Sequence, residues 1–538
     1  MYDFDQSVMR AFFPFTTTTN LQTKVTNMKN NIWMTAAVVL VFGACKTTGY
    51  IPSSNNDNGK IEVAFVQVND VYEIQPLAGG KEGGMARVAT IRKEVKKEIP
   101  NTFLVMSGDF VSPSVYNSLQ YQGKRIRGRQ MVEAMNVAGV DFAVFGNHEF
   151  DINENELQDR INESGFNWIA SNTFHKVNGQ VQPFRRTPSG PSFPETMIVQ
   201  VKDADGTTAK IGFIGLTLPF NRAEYVSYTD AISTAKTLYN RIKDSVDAVV
   251  AITHLLVEDD IKLAKEIPGL ALIMGGHEHN MRFVKEGKVY ITKAHANAKS
   301  TYINKLLINR KNGKVIVTPT LRSINETIAL DSLTNAVVNK WTDIAEKSYS
   351  SLGFDARAIV LDSGEPLEGR EEFLRRQPTN FTRVIISAMH QAAPQADVAI
   401  LNSGSIRVDD VISLPVSQYD ILRSMPFGGG IREVDMKGSL LLQTLDIGKK
   451  NAGIGGYLLY SEFVTHNGTT WTINNASIDP TKTYRVALTD FLITGKEANL
   501  NFLNEKNNDV VKVYPAETAT TNSLSDIRLA IVRFLQKK

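Results

Sequence analysis

Cysteine is almost absent from this chain of 538 residues: Cys45 is the only one, so no internal disulfide bond can form. Charge imbalance is small as well, because the formal net charge is +3 and the basic residues are scattered. Nothing therefore indicates a nucleic-acid polymer as partner. The chain also lacks internal repeats and long low-complexity segments. With 42% hydrophobic and 21% charged residues it has a globular composition, and its length allows two or three domains.

A membrane-spanning run is missing too. The N-terminal apolar run covers residues 32–44 and is too short to cross a bilayer comfortably. It follows Lys29 and ends in Phe42-Gly43-Ala44-Cys45, which gives it the basic start, short apolar centre and small-residue end of an export signal. The cysteine after Gly-Ala resembles a bacterial lipobox, in which cleavage precedes Cys45 and its thiol carries lipid. The alternatives are a plain signal peptide with a chance cysteine and an uncleaved anchor.

The N-terminal region thus predicts an exported lipoprotein, either periplasmic or in the outer membrane. Residues 1–45 would be the export signal and lipid-anchor site. Met28 is a more natural start for such a signal than Met1, which would make residues 1–27 a mis-assigned extension. Residues 46–59 are rich in Thr, Ser, Asn and Gly and are predicted to form a flexible tether.

Strand and helix patterns alternate from residue 60 to residue 325, which predicts an α/β domain of layered sheets and helices. Its predicted helices cover residues 83–97, 129–138, 230–245 and 258–266. Residues 302–318 have the alternation and Asn-Gly turn of a β-hairpin. A helix at 331–349, within an expected linker at 326–352, separates this domain from a second one at 353–538. The second domain has predicted strands at 398–401, 431–436, 470–473 and 484–488, and a terminal amphipathic helix at 523–535.

Five apolar strands of the first domain each end on side chains that can bind a metal ion. In chain order, the strand ends carry Asn69-Asp70, Ser107-Gly108-Asp109, Gly146-Asn147-His148, Thr253-His254 and Gly275-Gly276-His277-Glu278-His279. Any one of these side chains would more often be a helix cap or a buried histidine. Their recurrence at strand ends predicts a single site, because α/β proteins gather functional groups at the carboxyl ends of strands.

The candidate ligands are mixed oxygen and nitrogen donors, enough for two divalent or mixed-valence ions about 3.5–4 Å apart. They are Asp70, Asp109, Asn147, His254, His277 and His279. With two carboxylate oxygens, Asp109 is the natural bridge between the ions. His148 offers an imidazole that can act as acid, base or stabiliser of charge, and Asp151 can hold it in one tautomer.

This pattern resembles the calcineurin-like metallophosphoesterases, whose motifs are D-x-H, GD, GNH(E/D), H and GHxH. Within them it is similar to the bacterial and animal 5′-nucleotidase family through Gly83-Gly84-Met85-Ala86-Arg87, Gly146-Asn147-His148-Glu149-Phe150-Asp151 and the separate second domain. The resemblance implies a layered αββα metallophosphoesterase domain and a C-terminal α/β substrate-binding domain. It also implies that the six ligands hold two ions such as Mn, Zn or Mg, with His148 as catalytic histidine and Asp151 as its orienting partner.

The first motif departs from the family, because Asp70-Val71-Tyr72 has tyrosine where a histidine ligand is usual. Tyr72 is either a spectator or a metal ligand through its phenolate. Since a phenol has an ordinary pKa near ~10, it needs a strongly acidic cation such as trivalent iron to bind as phenolate at neutral pH. Iron is therefore a candidate for the position next to Tyr72.

The second domain resembles the family's substrate-binding loops. Asn402-Ser403-Gly404-Ser405-Ile406-Arg407 is similar to NGGGIR, which implies contact with the base through Asn402 and with the substrate's negative charge through Arg407. The segments around Phe427 and Phe491 imply that these two rings sandwich a nucleobase; the alternative is that both belong to the core. Glu497 stands at the family's ribose-binding aspartate, and three arginines lie near its phosphate-binding positions: Arg375, Arg376 and Arg383.

The resemblance therefore implies a 5′-nucleotidase that releases nucleoside and phosphate from nucleoside monophosphates outside the cytoplasm. The alternative among enzymes is hydrolysis of cyclic nucleotides, nucleotide sugars or other phosphate esters. The changes at Tyr72 and around Glu497 leave a third interpretation, a lipoprotein that binds nucleotide without hydrolysing it. The expected partners are a nucleotide or another small phosphate ester and, through lipid on Cys45, a membrane. The sequence leaves the oligomeric state open.

Overall fold

Two six-stranded sheets face each other across one apolar core in the first lobe of the chain, residues 57–331. In this computed structural model the residues described are 57–187, 189–219 and 223–537. The expected export signal, Cys45 and residues 46–56 of the expected tether lie outside the described residues. Within the described ranges, no helix is long and apolar enough to cross a membrane.

The first lobe alternates strands and helices, as the sequence predicts. Its strands are β1 Lys60–Val68, β2 Thr102–Met106, β3 Gln120–Tyr121, β4 Lys124–Arg125, β5 Phe142–Ala143, β6 Asn167–Trp168, β7 Thr173–Val177, β8 Gln180–Gln182, β9 Thr196–Lys202, β10 Thr208–Thr217, β11 Val226–Tyr228, β12 Ala248–His254, β13 Leu272–Gly275, β14 Arg282–Glu286, β15 Val289–Lys293, β16 Ser300–Asn309 and β17 Lys314–Ser323. Its helices are α1 Met85–Glu98, α2 Arg129–Ala138, α3 Glu154–Glu163, α4 Ala231–Ile242 and α5 Val257–Glu266.

The two large sheets stack in four layers with the helices. The first sheet has the order β17-β16-β1-β2-β5-β6 and the second β14-β15-β13-β12-β10-β9. Side chains such as Phe65 and Val105 of the first sheet pack against Val250 and Leu272 of the second. Helices α1 and α2 cover the outer face of the first sheet, and α4 and α5 cover that of the second. This arrangement confirms the predicted αββα architecture.

Parallel pairing brings the predicted ligands to one edge of the lobe. Strands β1, β2 and β5 run parallel, as do β10, β12 and β13, so their carboxyl ends lie side by side. The backbone turns sharply where three of the predicted ligands follow their strands, with φ of 53° at Asp70, 56° at Asp109 and 87° at His277. Non-glycine residues seldom adopt such angles, and they concentrate at functional sites. Glycine is required at Gly108, where a Cβ would lie 2.5 Å from the Nδ1 atom of His254.

The second lobe follows the long helix α6 Ser332–Ser351, which packs against α1 and α2. Its strands are β18 Ile359–Leu361, β19 Leu367–Glu368, β20 Val398–Asn402, β21 Val411–Ile412, β22 Val416–Ser417, β23 Ile431–Lys437, β24 Leu458–Tyr460, β25 Val464–His466, β26 Trp471–Ile473, β27 Ala476–Ser477, β28 Thr483–Thr489 and β29 Val510–Val513. Its helices are α7 Glu371–Leu374, α8 Asn380–Ala392, α9 Gln418–Ser424, α10 Gly438–Lys450 and α11 Ile527–Leu535.

A five-stranded sheet organises this lobe in the order β24-β20-β28-β23-β29. Both of its faces are covered, so successive residues of β20 are buried on opposite sides. Val398 and Ile400 pack with residues of α10, whereas Ala399 and Leu401 pack with residues of α8. The terminal helix α11 packs along α8 with its apolar side chains buried.

Candidate active site

Three of the predicted ligands form a buried cluster at the edge of the sandwich. A carboxylate oxygen of Asp70, one of Asp109 and an imidazole nitrogen of His254 lie within 4.8 Å of one another. The Nε2 atom of His254 is 3.1 Å from Oδ2 of Asp109 and 3.8 Å from Oδ1 of Asp70. All three side chains are fully buried or nearly so. Such a concentration of donors away from water favours a bound cation.

The other three predicted ligands adjoin this cluster. Oδ1 of Asn147 lies 3.2 Å from Nδ1 of His277. The rings of His254 and His277 meet edge to face with centroids 5.4 Å apart. Nε2 of His279 lies 3.8 Å from Oδ1 of Asp70. All six side chains named from the sequence are therefore brought together.

The charges of the cluster are arranged as a cation site requires. Burial lowers the pKa of His254, but Asp109 and Asp70 outweigh burial and raise that pKa to about 10. Burial, assisted by the positive His254, lowers the pKa of His277 to about 3, so His277 is a neutral imidazole. The proton on His254 lies where the carboxylates attract positive charge, which is the position a metal cation would take. His277 is neutral, and a neutral imidazole is the form that binds metals.

The spacing of donor atoms also fits metal ions. Two ligands bound at about 2.1 Å and at right angles around one ion lie about 3.0 Å apart. The nitrogen–oxygen distance between His254 and Asp109 is 3.1 Å, close to this value. The distances from His254 and from His279 to Asp70 are both 3.8 Å, which is 0.8 Å longer. Carboxylate, amide and imidazole donors together suit Mn, Zn, Mg or Fe. The residues present thus fit a pair of divalent ions.

Tyr72 points its hydroxyl into the same cluster. The phenolic oxygen lies 3.0 Å from Nε2 of His279, 3.3 Å from Oδ2 of Asp109 and 3.4 Å from Oδ1 of Asp70. Burial, followed by the negative charge of Asp109 and Asp70, raises its pKa well above the ordinary value, so the phenol is neutral. A neutral hydroxyl at this position can donate a hydrogen bond to either carboxylate.

His148 and Asp151 form a hydrogen-bonded pair beside the cluster, within a single turn at His148–Asp151. Nδ1 of His148 lies 2.6 Å from Oδ2 of Asp151, and the backbone N–H of His148 donates to Oδ1 of Asp109 at 2.8 Å. Burial lowers the pKa of His148, but Asp109 and Asp151 outweigh it and raise the pKa to about 9. At neutral pH the imidazole is protonated and oriented by its carboxylate partner.

Sequence reasoning assigned no role to Glu149, which holds two ligand loops together. Its buried carboxylate accepts backbone N–H bonds from Asp109 at 2.9 Å, Phe110 at 2.7 Å, Val111 at 3.0 Å and Gly146 at 2.6 Å. These bonds join the loop after β2 to the loop after β5. An acidic residue directly after a candidate histidine was the available signal.

Sequence reasoning also missed Lys293, which is fully buried at the end of β15. Its Nζ donates to the carbonyl oxygens of Leu255 at 2.6 Å and Gly276 at 2.9 Å. It also pairs with Oδ2 of Asp260 at 2.9 Å and Oε2 of Glu278 at 2.5 Å. Leu255 follows His254, and Gly276 precedes His277, so one cation ties together both histidine-bearing loops. A single charge in an apolar strand was its only trace in the sequence.

One cavity of about 1000 Å³ joins the cluster to the second lobe. Its lining includes four predicted substrate-binding residues, Asn402, Arg407, Phe427 and Phe491. It also includes Glu497, which stands at the family's ribose-binding aspartate position. The rings of Phe427 and Phe491 are 73% and 43% exposed, which is incompatible with the alternative that they belong to the core. Nδ2 of Asn402 donates to Oε2 of Glu497 at 2.5 Å.

The predicted arginine Arg383 lies elsewhere, and this placement is a correction. It pairs with Glu462 at 2.9 Å and lines a separate cavity. Arg375 instead faces the main cavity beside Arg407, together with Glu371, which sequence reasoning had not singled out. The loose spacing of arginines in this segment could not distinguish the inward side of α7 and its flanks from the outward side of α8.

The two lobes are in contact at His279, one of the predicted metal ligands. Nδ1 of His279 lies 2.7 Å from the carbonyl oxygen of Asp409 and 3.2 Å from its Oδ2 atom. Asp409 belongs to the second lobe and also lines the cavity. Burial lowers the pKa of His279, but Asp409 and Asp70 outweigh burial and raise it.

Comparison with known proteins agrees with this geometry. The family model for calcineurin-like phosphoesterases matches residues 63–281, and that for the 5′-nucleotidase C-terminal domain matches residues 363–505. The trifunctional nucleotide phosphoesterase protein YfkN of Bacillus subtilis is 24% identical over 76% of this chain, but the match spans only 31% of YfkN. Protein UshA of Salmonella pullorum is 25% identical over 76% of this chain and 80% of its own length.

Among solved structures, the 5′-nucleotidase precursor of Thermus thermophilus has the same fold. Its TM-score is 0.62 at 21% identity, and the alignment covers 89% of this chain and 96% of that one. Fold, ligand cluster and family models together define a calcineurin-like phosphoesterase, a hydrolase of phosphate esters. The chain belongs to the branch of that family that carries a 5′-nucleotidase C-terminal domain, and the family binds divalent metals.

Proposed function

We propose that the protein is a 5′-nucleotidase that hydrolyses nucleoside monophosphates to nucleoside and phosphate. The observation that carries the proposal is the shared cavity. One end is formed by the metal-ligand cluster and the His148–Asp151 pair, and the other by two exposed rings, Phe427 and Phe491. A phosphate at the cluster and a flat base between the rings would use both ends at once.

The six clustered side chains would hold two divalent ions, which would supply Lewis-acid polarisation of the phosphoryl group. They are Asp70, Asp109, Asn147, His254, His277 and His279. Tyr72 has two candidate roles. It either donates a hydrogen bond to a neighbouring carboxylate as a spectator, or binds a trivalent iron as phenolate.

His148 would stabilise the negative charge that grows on the phosphoryl oxygens as water attacks phosphorus. Asp151 keeps the proton on Nδ1 and fixes the ring, because the two atoms lie 2.6 Å apart. Against burial, Asp109 and Asp151 raise the pKa of His148 to about 9; ions bound to Asp109 would cancel its share, whereas the bond to Asp151 still favours a second proton on Nε2. A positioned cationic donor of this kind stabilises developing charge more effectively than water does.

The second lobe would bind the nucleoside. Stacking a base on an aromatic ring contributes roughly 1–3 kcal/mol and tolerates different bases. Asn402 and Glu497, already joined at 2.5 Å, offer donors and acceptors for the base and sugar. Arg407 would meet the negative charge of the substrate.

The test is to separate base recognition from phosphate chemistry. Phe427→Ala or Phe491→Ala should lower kcat/KM for AMP by roughly one to two powers of ten, given ~1–3 kcal/mol of stacking. Hydrolysis of p-nitrophenyl phosphate, which has no base, should change little. Phe283→Ala is a matched control, because this ring is 50% exposed on β14, outside the cavity. Equal losses on both substrates would show that the rings are structural.

The same assay decides between the alternatives. A substrate panel with added Mn²⁺ should include cyclic nucleotides and nucleotide sugars, since a preference for either would replace the monophosphate assignment. A non-hydrolysing nucleotide-binding protein is the second candidate, favoured by the tyrosine hydroxyl within the cluster. Metal-loaded protein that binds AMP but turns over neither AMP nor an aryl phosphate would establish that candidate.

We further propose that the protein is exported and anchored through lipid on Cys45. The support is the basic, apolar and small-residue pattern that leads to this cysteine. Cys45→Ser should abolish lipid attachment, and mass spectrometry of the N-terminal peptide would detect it. Identical unmodified peptides from both proteins would rule out the anchor.

A further inference from the structure

The wall of the cavity is unexpectedly acidic for a phosphate-binding enzyme. Apart from the metal cluster and His148, the charged residues of its described lining are two arginines and four carboxylates: Arg375, Arg407, Glu371, Asp409, Asp490 and Glu497. The substrate side of the cavity therefore has more negative than positive groups. Bringing several phosphates into it would place like charges together, which costs binding free energy.

Glu371 compensates both arginines. Nε of Arg375 donates to its Oε2 atom at 2.8 Å, and Nη2 of Arg375 donates to Oε1, so the pair is bidentate. Nη1 of Arg407 lies 3.7 Å from the same Oε1 atom. Burial raises the pKa of Glu371, but Arg375 and Arg407 outweigh burial and lower it. The carboxylate is thus ionised and shared between the two guanidinium groups.

Glu371 is also held in place beside the cluster. Its backbone N–H donates to Oδ1 of Asp409 at 2.6 Å, and the carbonyl oxygen of Asp409 contacts the ligand His279 at 2.7 Å. These bonds fix the backbone of Glu371 beside the contact between the lobes, and the bidentate pair with Arg375 fixes its carboxylate.

Each arginine keeps one buried nitrogen without a hydrogen-bond partner among the described residues, Nη1 of Arg375 and Nε of Arg407. One phosphate could approach the guanidinium group of Arg407, whose Nη1 lies 3.7 Å from Glu371, while Glu371 keeps its bidentate pair with Arg375. A second phosphate in the cavity would have to share these two guanidinium groups with Glu371. It would then lie close to the negative charge of Glu371. At an effective dielectric constant of about 20, the repulsion between these two charges is screened only partly.

We propose that Glu371 is a specificity-determining residue that selects substrates with a single phosphate and a neutral leaving group. Nucleoside monophosphates meet this requirement, whereas nucleoside diphosphates and nucleotide sugars, with a second phosphate, are disfavoured. The proposal rests on the proposed phosphohydrolase function and adds the substrate's charge to it. The discrimination comes from a repulsive charge built into the site. Specific binding sites often combine such repulsion of the wrong ligand with attraction of the right one.

The experiment compares AMP with ADP in the Mn²⁺-loaded protein. The wild type should favour AMP over ADP in kcat/KM by at least about tenfold, which corresponds to about 1.4 kcal/mol. Glu371→Gln removes the charge at constant shape and should reduce this preference about tenfold. Glu371→Asp restores the charge and should restore the preference. Glu372→Gln is the matched control, because its carboxylate is 61% exposed, pairs with Arg370 at 3.5 Å and lies outside the cavity.

The outcomes separate the two levels of the argument. If the wild type hydrolyses ADP as readily as AMP, or if Glu371→Gln slows both substrates equally, the specificity role is wrong while the phosphohydrolase function stands. If no phosphate ester is turned over, the proposed function fails. Calorimetric Kd values for AMP and ADP then still test Glu371, because its charge should weaken ADP binding relative to AMP, and an unchanged ratio in Glu371→Gln would overturn the proposal.

Discussion

Replacing Lys293 with methionine should loosen both histidine-bearing loops of the metal cluster at once. The Nζ atom donates to the backbone next to His254 and next to His277, and pairs with Asp260 and Glu278. Methionine has similar length and no charge, so the variant removes these four interactions without leaving a large void.

The magnitude follows from the carboxylates that remain. Asp260 is fully buried, and burial raises its pKa, an effect that Lys293 opposes. Removing one partner of a buried ion pair typically costs about 3–5 kcal/mol, because an uncompensated charge is left behind. The double variant Lys293→Met with Asp260→Asn should recover part of this loss, since it removes the stranded charge as well.

Two measurements check the prediction. Thermal unfolding should show a lower Tm for Lys293→Met, and calorimetric titration of the metal-free protein with Mn²⁺ should show about 10–100-fold weaker binding, as when partners of metal ligands are lost. Lys305→Met, at a half-exposed lysine of β16, is the control for removal of a lysine charge. A lower Tm with unchanged Mn²⁺ affinity would refute the claim that Lys293 positions the ligand loops.

Three further perturbations test buried groups in and near the site. Glu73, the neighbour of Tyr72, is buried outside the main cavity and accepts a hydrogen bond from the hydroxyl of Tyr419. Burial raises the pKa of Glu73 to about 7, above its unfolded value of ~4.3, so stability should fall as pH rises between these values. Glu73→Gln should therefore leave stability at pH 4 unchanged and raise it at pH 8 by up to about 4 kcal/mol in thermal or denaturant unfolding. Glu149→Gln replaces an acceptor of four backbone N–H groups with an amide and should weaken Mn²⁺ binding at least about tenfold in calorimetry. If Tyr72 binds iron, an iron-loaded preparation should have a visible charge-transfer band that Tyr72→Phe abolishes; a colourless, fully active iron-free enzyme would make Tyr72 a spectator, and Tyr72→His should then strengthen Mn²⁺ binding.

The layered fold and the ligand cluster were predictable because both depend on local patterns. A run of apolar residues followed by a polar donor marks a buried strand and its carboxyl end, and parallel pairing then brings distant segments together. His254 shows the limit of the rule: it is the last residue of β12 and not part of the following loop. Its side chain still reaches the cluster, because the sheet edge itself lines the site.

The residues that orient the ligands were not predictable in the same way. Lys293 donates hydrogen bonds to carbonyl oxygens 17 and 38 residues earlier in the chain. No local sequence pattern predicts which carbonyl oxygens it contacts. The choice between Arg375 and Arg383 depended on whether the end of α7 or the exposed side of α8 faces the cavity. Glu371 illustrates the same point. Its proposed role depends on Arg375, Arg407 and Asp409, which only the folded chain brings close to it.

The contact between His279 and the carbonyl oxygen of Asp409 has a thermodynamic consequence. One nitrogen of this ring belongs to the metal cluster, and the other is oriented by the lobe that would hold the nucleoside. An occupant that shifts this ring at one end of the cavity therefore changes the site at the other end. By linkage, whatever factor the metal adds to nucleotide affinity, the nucleotide adds to metal affinity. An enzyme built this way would retain its ions most firmly while substrate is bound and release them most readily when nucleotide is scarce.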